Sequence, residues 1–298
     1  MRLSKPYFLT MNSMKAMKIN SIYSEILDQL TSCGVENPAF EAKELVKYFF
    51  HMSETDFLLS RNKDISDDIC IKLKNAVSRR ASGEPLQYII GEWDFMDSTF
   101  KVGEGVLIPR PETEILCQYV LDNTKKIDKP VIYDLCSGSG CIAISIKKEI
   151  MDSQVIAVEK SDKAFAYLTR NNKLICKDNA VVAVNEDIFN YDHFVDYPYA
   201  DVIISNPPYI RSDEIAGLQK EVQYEPKMAL DGGEDGLVFY RFIISVWKNK
   251  LKTGGFFAFE CGEDQAFYIS QLLNNSGFDS EIIKDYNNID RIVIGRRL

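Results

Sequence analysis

The chain has 298 residues, 46% of them hydrophobic and 27% charged, with a formal net charge of −9, enough apolar content for one large domain or a large and a small one. The negative balance disfavours a long grip on nucleic acid, which draws its energy from a basic face neutralising phosphates, and no apolar run approaches the roughly 18 to 20 residues that span a bilayer. Seven scattered cysteines read as reduced thiols rather than paired ones, and two histidines in unrelated contexts leave little room for histidine-based metal or triad chemistry.

The start of the chain lacks a clean apolar signal region and a small-residue cleavage site, which makes the cytoplasm the expected compartment and residues 1–16 an N-terminal extension and a candidate for disorder. Ile22, Ile26, Leu27 and Leu30 then recur at helical spacing up to a stop near Gly34. A second helix opens with Asn37 as N-cap and Pro38 at its first position. A third follows from Ser66, with Asp67 and Asp68 in its first turn, an apolar stripe of Ile69, Leu73, Ala76 and Val77, and Arg79 and Arg80 before Gly83. These helices predict a small bundle over 17–84; the alternative is that they only decorate the main domain. The texture then changes to short aromatic and β-branched runs, with Gly103 and Gly105 where a turn would fall, which predict a β-hairpin linker over 85–112.

From Lys129 onward, strand-like runs (VIYDL, VIAVE, AVVAV, DVIIS) alternate with segments long enough for helices, the pattern of a parallel, doubly wound α/β sheet over 113–298. The later runs FFAFE, EIIKD and RIVIG close the sheet in another order, with one strand antiparallel.

The first strand of this alternation runs into DLCSGSGCIAIS. Gly138 and Gly140 allow a tight turn and close approach of backbone to a ligand, Ala143 lets the next helix pack near the strand, and Glu159 ends the second strand where a carboxylate can hold both hydroxyls of a ribose. This combination specifies a nucleoside-containing cofactor. Asp134 helps separate the two candidates: a carboxylate beside the loop is ill placed for the pyrophosphate of a nicotinamide dinucleotide but suits the cationic amino group or sulfonium of S-adenosylmethionine. The competing role for Asp134 is a helix-capping or turn residue. Asp187, after the third strand, stands where an acid can accept from an adenine amine, or is a solvated turn aspartate.

At the end of the fourth strand come Asn206, Pro207, Pro208 and Tyr209, at the sheet edge where open α/β folds bind ligands. Prolines donate no backbone hydrogen bond and have a fixed φ, so this loop is stiff and its carbonyls are free to face a ligand. A planar NH2 group is a poor nucleophile. If the Asn206 side-chain oxygen and the Pro207 carbonyl each accept one of its hydrogens, the nitrogen is held in line with a methyl donor and its developing charge meets two fixed dipoles. Tyr209 then offers a face for stacking. Standing alone, the tetrapeptide could be a strand-ending turn; after the glycine loop, Asp134 and Glu159 it reads as a methyl-transfer site. No residue is visibly placed for hydride chemistry.

The segments GEPLQYIIGEWDF, VLIPRPETE, DLCSGSGCIAIS, SNPPYI, EPKMALDGGEDGLVFYR and ECGEDQ together resemble the peptide-chain release factor glutamine methyltransferases, the PrmC or HemK family. The resemblance runs from about Ile22 to the C-terminus. It implies a class I S-adenosylmethionine-dependent methyltransferase fold with a seven-stranded, mostly parallel sheet, an N-terminal helical bundle that docks the substrate, and a β-hairpin linker. The implied substrate is the glutamine amide of the Gly-Gly-Gln motif of class-I release factors. Carried over by position, Cys136, Ser137, Gly138, Ser139 and Gly140 line the tail of S-adenosylmethionine, Glu159 holds the ribose, Asp187 and Ile188 border the adenine, and Asn206 to Tyr209 hold the glutamine. Arg110, Pro111, Glu112 and Thr113 shape the pocket mouth. The chain departs from the family at Cys136 and Cys141, where smaller residues are common, and at Glu159, where aspartate is usual. The four-residue motif is shared with adenine- and guanine-amine methyltransferases, so a nucleic-acid exocyclic amine is the competing substrate, and a non-catalytic S-adenosylmethionine-binding protein the competing class.

Overall fold

The computed structural model describes residues 18–60, 62–63 and 66–297; the expected N-terminal extension lies outside them. The chain divides into two compact units, residues 1–86 and 87–298. No helix among the described residues is long and apolar enough to cross a membrane.

The first unit is built from helices α1 (Ile19–Ser32), α2 (Pro38–Phe50), α3 (Glu54–Leu59) and α4 (Asp67–Ala81). Ile22, Ile26 and Leu30 of α1, Leu45 and Val46 of α2, and Leu73 and Val77 of α4 are buried, so the helical spacing seen in the sequence does turn one stripe of each helix inward. Asn37 stands at the N-cap position of α2 with Pro38 following, and His51 ends that helix in the left-handed region at φ 51°. The short α3 was not expected. Six residues are too few to show a period, and its signature is instead a capping box in which Ser53 and Asp56 bond each other's backbone N–H. Arg80 is 4% exposed and makes a two-pronged ion pair to Glu41 of α2, with distances of 2.5 and 3.0 Å.

The helix α5 (Leu86–Ile90) crosses the division between the units, a helical turn where the linker was expected to be extended. The strands β1 (Glu92–Phe95) and β2 (Ser98–Lys101) form the hairpin. Its own turn is Met96–Asp97, with Met96 at φ 50°, and a second turn falls at Gly103 and Gly105, where the Val106 N–H donates to the Gly103 carbonyl at 3.3 Å. Those glycines serve close approach: a Cβ on Gly103 would lie 2.3 Å from the Tyr167 hydroxyl, and one on Gly105 would lie 2.6 Å from the Lys163 side chain.

Helix α6 (Pro111–Thr124) leads into the sheet. Strands β3 (Val131–Leu135), β4 (Gln154–Glu159), β5 (Val182–Asn185), β6 (Ala200–Ser205), β7 (Leu251–Glu260), β8 (Phe278–Lys284) and β9 (Asp290–Arg297) take the order β5-β4-β3-β6-β7-β9-β8. The first five neighbours are parallel, and β9 runs antiparallel to both β7 and β8. Alternate residues of β3 separate the two faces. Ile132 joins Leu116 and Val120 of α6, Ile142 and Ile144 of α7 (Cys141–Glu149) and Leu168 of α8 (Asp162–Ile175). Tyr133 and Leu135 join Tyr240 and Ile243 of α10, Trp247, and Ile269 and Leu273 of α11. Here α9 is Lys220–Gln223, α10 Val238–Val246 and α11 Ala266–Asn275. Fully buried Trp247 donates to the Ile188 carbonyl at 3.0 Å, tying this face to the loop after β5.

Removing one partner of a buried ion pair costs about 3–5 kcal/mol, because a charge is left desolvated and unpaired. Arg80→Met should therefore lower the free energy that protects the α2 and α4 amides from hydrogen exchange by about 3 kcal/mol. Unchanged protection would show that the Glu41 pair does not hold the helices together.

Candidate active site

The chain reverses direction across the sheet between β3 and β6, which are parallel neighbours although β4 and β5 intervene in sequence. A crevice opens at such a point, beyond the carboxyl ends of the strands. There lies a cavity of about 400 Å³, within the range of small-molecule sites.

One wall is the glycine loop, with Cys136 to Ser139. Cys136 adopts φ 64°, a left-handed conformation favouring glycine, and Gly138 and Gly140 follow at 55° and 81°. Cys136 therefore carries a side chain on a backbone shape that favours glycine. The two glycines do different things. A Cβ on Gly140 would lie 2.3 Å from Leu168, whereas one on Gly138 would meet nothing within 4 Å and would project into open space. Asn171 of α8, fully buried, donates to the Ser139 and Lys101 carbonyls and accepts from the Lys101 N–H, so one side chain fastens this loop to the hairpin.

Glu159 ends β4 and lines the same cavity. Its two oxygens accept from the Gly138 N–H at 2.8 Å and the Ser161 N–H at 2.7 Å; burial raises its carboxyl above the ordinary range while these bonds oppose the rise. Asp187 and Ile188 form the next part of the wall. Asp187 accepts from the Phe189 N–H at 3.0 Å and pairs with Lys160 at 2.7 Å, and Phe189 stacks in a tilted contact with Phe242 and edge-on with Phe239. The aromatic pair Phe189 and Phe239 on the cavity wall carried no signal in the sequence beyond two ordinary apolar residues.

Asp134 is placed differently from the sequence expectation. It is wholly buried and does not line the cavity; its Oδ2 accepts from the Ala143 N–H of α7 at 3.1 Å, the helix-capping role, while Oδ1 has no partner. An even-numbered residue of β3 faces α6 and α7, so the pleat turns this carboxyl away from the crevice. Burial pushes it up to about 8.

Asn206 and Pro208 line the cavity from the end of β6, and Pro207 is buried beside them. Tyr209 does not line it. Its ring joins the core cluster on the α10–α11 face, where a Cβ on Gly262 would lie 3.5 Å from the ring, so it anchors the loop rather than offering an open face. The loop is clasped from outside by DGGEDG. Ile210 donates to Leu230 and accepts from Gly232, Ser212 donates to Gly233, and the Gln265 side chain donates to the Tyr209 carbonyl at 2.7 Å. Contact is so close that a Cβ on Gly232 would lie 2.7 Å from Tyr209 Cα and 2.8 Å from the Pro208 carbonyl.

A further wall is formed by residues 104–110 with Thr113, and Tyr224, Pro226, Met228 and Ala229 also line the cavity. Tyr88 donates to the Val106 carbonyl at 2.6 Å; buried Glu225 accepts from the Ile108 N–H at 2.9 Å and pairs with Arg110. Glu112, expected at the mouth with Arg110, is half-buried in the first turn of α6 and does not line the cavity. Thr113 does, and it accepts from Asn206 Nδ2 at 3.2 Å while donating to Glu260 at 2.5 Å. Glu225 and Glu260 stood inside segments quoted from the sequence, EPKMALDGGEDGL and ECGEDQ, but nothing in their spacing gave them a role.

S-adenosylmethionine needs a ribose acceptor, backbone close to a flexible polar tail, and an apolar bed for adenine. Glu159, the open space beside Gly138, and Ile188 with Phe189 meet these needs in one cavity, so the residues fit the group. Fold and site together define a class I S-adenosylmethionine-dependent methyltransferase. Residues 22–91 match the PrmC N-terminal domain and residues 94–258 the family described as N-6 DNA Methylase. The release factor glutamine methyltransferase of Thermodesulfovibrio yellowstonii is 42% identical over 258 residues, 85% of this chain and 91% of that protein. That of Clostridium acetobutylicum is 35% identical over 94% of this chain and 99% of that protein. In structure, the hMettl16 catalytic domain, solved with the MAT2A 3′UTR hairpin 1, superposes with a TM-score of 0.55 at 13% identity, covering 87% of this chain and 90% of that one. The chain belongs to the release factor glutamine methyltransferase family.

Two outcomes follow from this geometry. Below about pH 4 both folded and unfolded chains hold the Asp134 proton; from there to about 8 only the folded chain does. Stability contributed by this group is thus lost as pH rises, by up to about 1.4 kcal/mol per unit, and Asp134→Asn should flatten the fall seen in urea unfolding between about pH 5 and 8. Identical slopes for the two proteins would contradict the buried proton. Gly232→Ala should displace the Asn206–Tyr209 loop and lower turnover by about a hundredfold, with S-adenosylmethionine affinity near normal by calorimetry; full turnover would show that the loop does not depend on this contact.

Proposed function

We propose that the protein transfers a methyl group from S-adenosylmethionine to the side-chain amide nitrogen of the glutamine in the Gly-Gly-Gln motif of class-I peptide-chain release factors, in the cytoplasm. The observation that carries the reading is the Asn206 amide on the cavity wall, whose nitrogen is engaged by Thr113 so that its oxygen is left to accept.

When bound, S-adenosylmethionine supplies an electrophilic methyl on a sulfonium. The chain's own groups prepare the nitrogen that receives it. The Asn206 side-chain oxygen and the Pro207 carbonyl each accept one hydrogen of the substrate amide, which aligns its lone pair and places two negative dipole ends against the charge that grows there. Pro208, buried at the cavity wall, excludes water, and Tyr209 holds the loop from behind. Glu159 binds the ribose, with Asp187 and Ile188 at the adenine and Cys136 to Gly140 along the tail. Arg110, fixed by Glu225, borders the mouth through which a protein loop enters. The helical unit is the docking surface for the release factor.

A nucleic-acid adenine amine presents the same planar NH2 and is the second reading, since residues 94–258 match a family described by that chemistry. The net charge of −9 and the names of the relatives favour the glutamine: a side chain on a protein loop needs neither base flipping nor a long phosphate-binding groove.

Mass spectrometry of a purified class-I release factor after incubation with the protein and S-adenosylmethionine should find one added methyl on the Gly-Gly-Gln glutamine, absent when that glutamine is alanine. Asn206→Ala should bind the cofactor nearly as the wild type does and lose transfer by about 10³-fold. An unmethylated release factor together with methyl transfer to DNA, rising with duplex length and falling with salt, would replace this reading with the second.

A further inference from the structure

An amide can accept from a substrate amine only if its oxygen, and not its nitrogen, faces that amine. The two ends of Asn206 have nearly the same shape, so the fold must select one by hydrogen bonding. Thr113 Oγ1 lies 3.2 Å from Asn206 Nδ2 and 2.5 Å from Glu260 Oε2. Thr113 and Glu260 are 2% and 1% exposed, so neither can exchange its partner for water. A hydroxyl has one hydrogen. Given to the Glu260 carboxylate, it leaves Thr113 only a lone pair to offer Asn206, which must then present its NH2 to Thr113 and its oxygen to the cavity.

From this chain of bonds we infer that Glu260, acting through Thr113, sets the polarity of the Asn206 amide, and that both are positioning residues for methyl transfer. The inference rests on the proposed role of Asn206 and deepens it. Neither residue meets substrate in this arrangement to form or break a bond; Glu260 specifies which way a neighbouring dipole points.

The direction of the chain depends on the charge of its far end. Protonated Glu260 would donate to Thr113, Thr113 would donate to Asn206, and the amide would have to rotate, putting two donors against the substrate's own N–H groups. Burial, the larger influence, pushes Glu260 up to about 7, and its bond from Thr113 together with Arg291 of β9 and Arg110 opposes the rise, while Glu112 adds to it. The phenols of Tyr209 and Tyr240 and the thiols of Cys117, Cys141 and Cys261 also stand near it, and burial keeps all five neutral. These phenols and thiols hold their protons through neutrality, and loss of the acid limb in Glu260→Gln is what assigns it to this carboxyl.

The test compares wild type, Thr113→Ser, Thr113→Val and Glu260→Gln, each shown to be folded by its thermal melt and to bind S-adenosylmethionine by calorimetry, in single-turnover methylation of a release factor from about pH 5.5 to 8.5. The expected wild-type rate falls on the acid side of neutrality. Thr113→Ser, which keeps the hydroxyl, should stay within about threefold with the same profile. Thr113→Val, equal in shape but without acceptor or donor, should lose at least about tenfold in kcat with little change in cofactor affinity and should show no acid limb. Glu260→Gln should also lose the acid limb, because its amide does not titrate. Thr113→Val turning over like wild type, or an acid limb that persists in both Thr113→Val and Glu260→Gln, would overturn the inference while leaving Asn206 as an acceptor. A wild type that methylates only an adenine amine would sink the proposed substrate instead, and the same four proteins compared on that amine would still decide whether Glu260 orients Asn206.

Discussion

Parallel pairing of β3 with β6 is the constraint on which the site depends. Ile132 to Leu135 pair with Val202 to Ser205, so the glycine loop and the Asn206 loop leave adjacent strands at the same height and in the same direction. Helices fill both faces of the sheet, so only the carboxyl edge is free to bind ligand. Glu159 and Asp187 reach that edge from β4 and β5, and Glu260 reaches it from β7. Residues over a hundred positions apart thus converge by sheet topology, with no local feature drawing them together.

A second layer holds the first. The acceptor loop is stiff in part because of its prolines, but its position comes from elsewhere: Gln265 and the glycine-rich turn after Leu230 clasp it, and the Thr113 hydroxyl fixes its leading side chain. The stretch from Val106 to Arg110 has no regular structure of its own and is secured by Tyr88 and Glu225. Each contact fixes a backbone carbonyl, N–H or amide on or beside the cavity wall. The long motifs of this family outside the four-residue loop can be understood as this support.

Burial lifts the carboxyls of Asp134, Glu159 and Glu260 around the site, yet their surroundings divide them. Asp134 caps α7 behind the glycine loop and keeps one oxygen unpartnered, Glu159 is held by two backbone N–H groups at the cavity, and Glu260 takes a hydroxyl hydrogen in the core. The first supports the loop's backbone, the second lines the cavity where the ribose is proposed to bind, and the third orients another side chain. Only the second touches ligand in the proposed reaction.

The sequence alone determined the class of fold, the strands that carry the loops, the glycine turn and the place of Glu159 and the Asn206 loop on the cavity wall, because each is a local matter: a period of two or of 3.6, a positive φ, a proline-fixed backbone. It could not decide where Asp134 points, since one residue of pleat separates the cavity from the helix behind it, and here the capping role prevailed. It read a turn at Gly103 and Gly105 but not the hairpin's own turn at Met96–Asp97, and it missed α3, too short for a period. Tyr209 looked like a stacking face until the core behind it was known. Glu225 and Glu260 acquired roles only in three dimensions, and Thr113, expected at the pocket mouth, acquired its partners there, because a hydrogen bond between residues 93 or 147 positions apart leaves no spacing to read. Local chemistry named the parts, and long-range packing decided which groups face one another.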